Sequence, residues 1–175
     1  MDMRQTQMTQ EDEIRAIHFK YEVPEIVVKE LLDSGIRYTE ADKMALLSCL
    51  TGKDIKEMAR LRKEQPWSRI QKELGLSAEV YEAKYFSHRA NRLHRFYGIE
   101  ENRALAALQE GYPNHWIRLA WLLETKTGKK MEEILMMKKK TPKWKEWAQT
   151  NLNVDPEDFS RWILETRNPS LKPKT

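Results

Sequence analysis

Apolar residues in this chain recur three and four positions apart, in short blocks separated by Gly, Pro or a capping residue. Ile14, Ile17, His18 and Tyr21 form one such stripe, preceded by Thr9 and Asp12 at capping-box spacing. Pro24 stands where a first helical residue is expected, and the block "PEIVVKELLDSG" stops at Gly35. Thr39 opens "TEADKMALLSCLTG", which is apolar almost all round its middle and predicts a central buried helix. Thr51 and Asp54 repeat the capping-box spacing ahead of Ile55, Met58, Ala59 and Arg62. Pro66 and Trp67 open a shorter helix that ends at Leu74 and Gly75, and Ser77 caps the next. No breaker interrupts the stretch from Ala78 to Tyr97, which predicts one continuous helix.

The same grammar then recurs. At an offset of 76, Ile17 meets Leu93, His18 meets His94, Tyr21 meets Tyr97, Gly35 meets Gly111, and Thr51–Gly52–Lys53 meets Thr127–Gly128–Lys129. One inserted residue brings Trp67 to Trp144; a second brings Leu74 to Leu152, Leu76 to Val154 and Tyr81 to Phe159. Asn114 caps "HWIRLAWLLETKTG", Thr141 and Pro142 open "KWKEWAQTN", and Asp155 with Pro156 opens "EDFSRWILE". The pattern reads as an internal duplication in an all-α chain: two tandem copies of a multi-helix unit, residues 11–86 and 87–165, joined by a long shared helix. Residues 1–10 and 166–175 are expected to be mobile tails.

The second half of each copy has a recognisable shape. "PWSRIQKELGLSAEVYEAKY" is a helix, a tight turn at Leu74–Gly75–Leu76 and a Ser77-capped helix. With the helix from Asp54 to Lys63 before it, this resembles the three-helix helix-turn-helix core of many bacterial DNA-binding proteins. The resemblance covers about Thr51–Tyr85 and Thr127–Ile163, and it implies a DNA-binding or transcription-related accessory role. Gln71 departs from the small residue that such cores carry before the turn, whereas Ala148 fits; Asn153 replaces the turn glycine in the second copy.

Charge changes the picture. Residues 11–86 hold 13 Lys+Arg against 15 Asp+Glu, and residues 87–163 hold 14 against 10, so an acidic partner is expected on the second copy. Its candidate contacts with nucleic-acid phosphates are Lys138, Lys139, Lys140, Lys143 and Lys145, with Arg161 on the second recognition-like helix. Arg89, Arg92 and Arg95 in "HRANRLHR" are spaced to share one helix side. Against duplex DNA stand Glu79, Glu157 and Asp158, which open the recognition-like helices: carboxylates there suit the helix dipole but repel phosphates. The alternative partner is an acidic protein surface, with the chain acting as an interaction adaptor; the six Trp and eight Met suit such an interface.

Other chemistry is not written in the chain. "LTGKD" and "KTGKK" have the Gly–Lys pair of a phosphate loop without its upstream glycine or its Ser/Thr. His18, His88, His94 and His115 lack metal-site spacing, and nothing pairs a nucleophile with a base. The expectation is therefore a non-enzyme without cofactor or metal. Cys49 lies in "MALLSCLTG" and is expected as a small buried side chain. No run of about 20 apolar residues crosses a membrane, and "MDMRQTQMTQ" lacks the apolar stretch of a secretory signal, so a cytoplasmic location is expected.

Overall fold

The structure, a computed structural model, describes residues 8–167. The expected mobile tails fall largely outside that range, although Gln10 already opens the first helix and the last runs to Arg167. The described residues form eleven helices and no strand: α1 Gln10–Tyr21, α2 Glu25–Asp33, α3 Tyr38–Thr51, α4 Ile55–Glu64, α5 Trp67–Glu73, α6 Ala78–Tyr97, α7 Glu101–Gln109, α8 Asn114–Thr127, α9 Met131–Met137, α10 Trp144–Leu152 and α11 Pro156–Arg167. The all-α class is as expected. So is the unbroken α6, which has no Gly or Pro to stop it.

The chain divides into two compact units after Glu82, inside α6. In the first unit, α3 is the central element as its pattern predicts, with Ala41, Met44, Ala45, Leu46, Leu47 and Leu50 buried. Ile17 of α1, Val28 of α2, Met58 of α4 and Ile70 of α5 complete the core around it. In the second unit Ile117 and Leu123 of α8 take that place, packed with Leu108 of α7, Ile134 of α9, Trp147 of α10 and Phe159 of α11. Removing such a side chain from water contributes about 1.5–3 kcal/mol.

Local geometry recurs at positions 76 to 78 apart. His18 donates from Nδ1 to the carbonyl of Val23 (2.7 Å), and His94 does the same to Ile99 (2.9 Å). Each bond fastens the end of one helix to the buried residue that leads into the next. Thr51 and Thr127 donate to Leu47 and Leu123, both at 2.7 Å, and accept from the amides of Lys53 and Lys129, both at 3.3 Å. After α5 the backbone turns through Gly75 at φ 72°, and after α10 through Asn153 at φ 54°, the left-handed conformation that asparagine adopts more readily than most residues.

Caps agree with the sequence in part. Thr9 and Asp12 form the expected capping box. Ser77 Oγ accepts from Val80, and Asp155 Oδ1 accepts from Glu157 (2.8 Å) and Asp158 (3.3 Å). Thr51 is not a cap: it ends α3, and Asp54 alone caps α4 by accepting from Lys56 (2.9 Å). Asn114 is the first residue of α8 rather than its cap, and its Oδ1 accepts from Arg89 at 2.7 and 3.1 Å. Thr39 likewise lies inside α3, and α10 begins after Lys143 rather than at Thr141–Pro142. Cys49 is exposed. The helix turns through about 100° per residue, so with Leu47 and Leu50 directed into the core, Cys49 is carried to the outside.

Candidate binding site

The predicted basic residues separate into different environments. In the first unit, α4 and α5 are joined by two residues, Gln65 and Pro66; in the second, α9 and α10 are joined by six, Lys138–Lys143. The lysine triplet therefore lies on irregular backbone, whereas residues 62–64, 76 positions earlier, are helical in α4. Proline disfavours helix in the residue before it, so Thr141 is kept out of helix on this connection.

Lys139 and Lys140 are exposed on this connection, Lys143 is the exposed N-cap of α10, and Lys145 is exposed in its first turn. Arg161 is exposed on α11 and pairs with Asp158 (2.8 Å), one turn earlier. Arg89, Arg92 and Arg95 lie against aromatic rings instead of forming an open basic row: Arg89 over Tyr85 and Phe86, Arg92 and Arg95 over Phe96.

Lys138 differs from its neighbours in burial. It is 5% exposed, and among the described residues it is the buried charged side chain. Its Nζ donates to the carbonyl of Lys139 and lies 5.0 Å from the ring centre of Trp116 and 5.1 Å from that of Trp144. Ring quadrupoles attract a cation at this range. No carboxylate among the described residues pairs with it, and burial pushes its pKa down. Lys138 Nζ is thus held against two indole rings, and the exposed cations are its neighbours.

Aromatic packing builds the walls. Trp116 meets Trp144 edge to face at 5.5 Å, Trp144 meets Trp147 at 5.9 Å, and Tyr112 stacks on Trp116 at 6.4 Å. Trp147 is buried, while Trp116, Trp144 and Tyr112 are half-buried. Trp144 Nε1 is buried and has no acceptor among the described residues. Just before the connection, Met136 is 77% exposed and Met137 is 43% exposed. Residues 136–145 thus carry one enclosed ammonium against two Trp rings, four exposed lysines and two exposed Met side chains.

The lysine run marks this place in the sequence, and the inward turn of Lys138 is set by residues distant in the chain. The signal was a spacing: Lys138 stands 22 residues after Trp116 and six before Trp144, a long-range set that periodicity alone does not join. Among the described residues no group of His, Cys, Asp and Glu is arranged to hold a metal ion, and no helix is long and apolar enough to cross a membrane. The chain matches no protein-family model, no curated protein and no solved structure.

Proposed function

We propose that this protein is a non-enzymatic binding module whose second unit docks an acidic segment of a partner protein on the α9–α10 connection. The observation that carries the reading is the mixture on that connection. Lys139, Lys140, Lys143 and Lys145 are exposed cations, and Met136 and Met137, just before them in the chain, add exposed apolar area. A phosphate backbone rewards cations and gains nothing from exposed thioethers, whereas protein interfaces favour Met and aromatic groups with a charged rim. Arg161 is engaged by Asp158, and Glu157 and Asp158 place negative charge at the start of α11, where a recognition helix would approach base edges.

Duplex DNA is the competing partner. It draws support from the order α9, α10, turn at Asn153, α11, which follows the helix-turn-helix plan. One titration separates the two. Fluorescence anisotropy of labelled decaglutamate is expected to report binding that weakens with salt. Changing Lys139, Lys140, Lys143 and Lys145 together to Gln is expected to weaken it about tenfold or more, at roughly 0.5 kcal/mol for each exposed cation. Random-sequence duplex that binds more tightly than the peptide under the same conditions, with a steep salt dependence, would overturn the reading in favour of nucleic acid.

A further inference from the structure

The first unit shows how this kind of site is completed. Glu40 of α3 accepts from Arg62 Nε of α4 (2.9 Å) and from Trp67 Nε1 of α5 (3.1 Å). The guanidinium also lies 5.1 Å from the ring centre of Trp67. One carboxylate thus satisfies a cation and an indole N–H together, and the hydrogen bond from Arg62 holds the Glu40 carboxyl below the usual range.

The sequence offset carries Arg62 to Lys138, Trp67 to Trp144 and Glu40 to Trp116. The cation and the indole are kept, and the acid has become a tryptophan. Both donors are still present and enclosed: Lys138 is 5% exposed with only a backbone carbonyl as acceptor, and Trp144 Nε1 is buried with none among the described residues. A buried donor without an acceptor is costly, as for Trp144 Nε1, and the Lys138 ammonium 5.1 Å from the centre of that ring has three N–H donors and one backbone acceptor, so an acceptor is favoured beside them.

We propose that the second unit is a receptor for a carboxylate supplied from outside the chain, an Asp or Glu side chain that accepts from Lys138 Nζ and Trp144 Nε1 as Glu40 accepts from Arg62 and Trp67. This rests on the acidic-partner reading and adds its point of recognition. A carboxylate suits the site better than a phosphate. It brings one negative charge to one cation, whereas a dianion would leave a charge uncompensated against the faces of Trp116 and Trp144. The exposed lysines then steer the acidic segment, and Lys138 with Trp144 selects a single side chain of it.

The indole N–H of Trp144 is a direct reporter. In ¹⁵N spectra of the full chain, titration with sodium acetate against sodium chloride at constant ionic strength is expected to shift that resonance saturably, with chloride alone leaving it in place. Trp144→Phe identifies the signal. Trp116→Glu installs the acceptor within the chain: the resonance should start near its acetate-bound position and no longer respond. Lys138→Met covers the case in which that variant does not fold, and it is expected to weaken the acetate response about tenfold, as loss of a charged donor does. An indole signal indifferent to acetate, or a response unchanged in Lys138→Met, would overturn the proposal. The two readings fail separately. A silent indole with decaglutamate still bound removes this inference alone. An intact acetate response without decaglutamate binding shows the receptor and removes the docking surface around it.

Discussion

Replacing Phe159 by alanine is expected to lower the unfolding free energy by about 3–5 kcal/mol, the range for removing a fully enclosed aromatic ring. Phe159 is 2% exposed and is the one buried residue among the described side chains of α11, so it is the main anchor of that helix in the second core. The sequence match, Tyr81 on α6, is only half-buried against the first core. Its alanine variant is expected to cost about 2 kcal/mol or less, in proportion to the smaller area withdrawn from water. Urea unfolding of the two variants measures the contrast. The midpoint should fall much further for Phe159→Ala, with the slope unchanged. Equal losses would mean that α11 is held by something other than this ring.

The second large effect is expected at Arg103 of α7. Its guanidinium donates from Nη2 to Glu124 of α8 (2.6 Å) and from Nε to Glu132 of α9 (2.6 Å). Glu124 Oε1 also accepts from the amide of Met131, the first residue of α9 (3.0 Å). That contact replaces a local cap. In the first unit Asp54 caps α4 with its own side chain, whereas Lys130, ahead of α9, makes no such bond. Arg103 thus holds in place the acid that finishes another helix.

Arg103→Met is expected to cost about 2 kcal/mol at neutral pH. This is below the 3–5 kcal/mol typical of a broken buried pair, because Glu132 is 48% exposed and its share is screened. The pH dependence follows from the carboxyls. Hydrogen bonds from Arg103 hold both Glu124 and Glu132 below their ordinary value of 4.5. Their contribution is complete above about pH 4.5 and is lost as pH falls through the lower folded values. The difference between wild type and Arg103→Met, measured by thermal or urea unfolding, should therefore shrink on acidification below that point. A difference that stays constant down to strongly acid pH would mean that the arginine acts through packing on Trp121, over which it lies at 5.3 Å.

What could be read from the chain and what could not differ in range. The unbroken α6, the left-handed turns at Gly75 and Asn153, and the caps at Thr9, Ser77 and Asp155 depend on residues within a few positions of one another, and the sequence displays them. Arg103 joins Glu124 and Glu132 across 21 and 29 residues, and no local pattern marks that set. Lys138 is the sharper case. A lysine in a run of three carries every local sign of solvation, and only the folding of α8 and α10 beside it encloses one of the three. Cys49 fails in the opposite direction. An apolar neighbourhood hides the outward phase of a helix whose inner face is already filled by Leu47 and Leu50. The candidate site was legible as a basic stretch, and its pocket was not.

The six-residue connection between α9 and α10 has a further consequence. Proteases thread extended main chain through their clefts and handle helices poorly, so cleavable bonds on exposed irregular segments are cut first. Lys139, Lys140 and Lys143 put trypsin-sensitive bonds on such a segment, whereas the corresponding Arg62 and Lys63 are wound into α4. Brief digestion of the native protein should nick it here, and an acidic segment lying across the lysines should shield the same bonds.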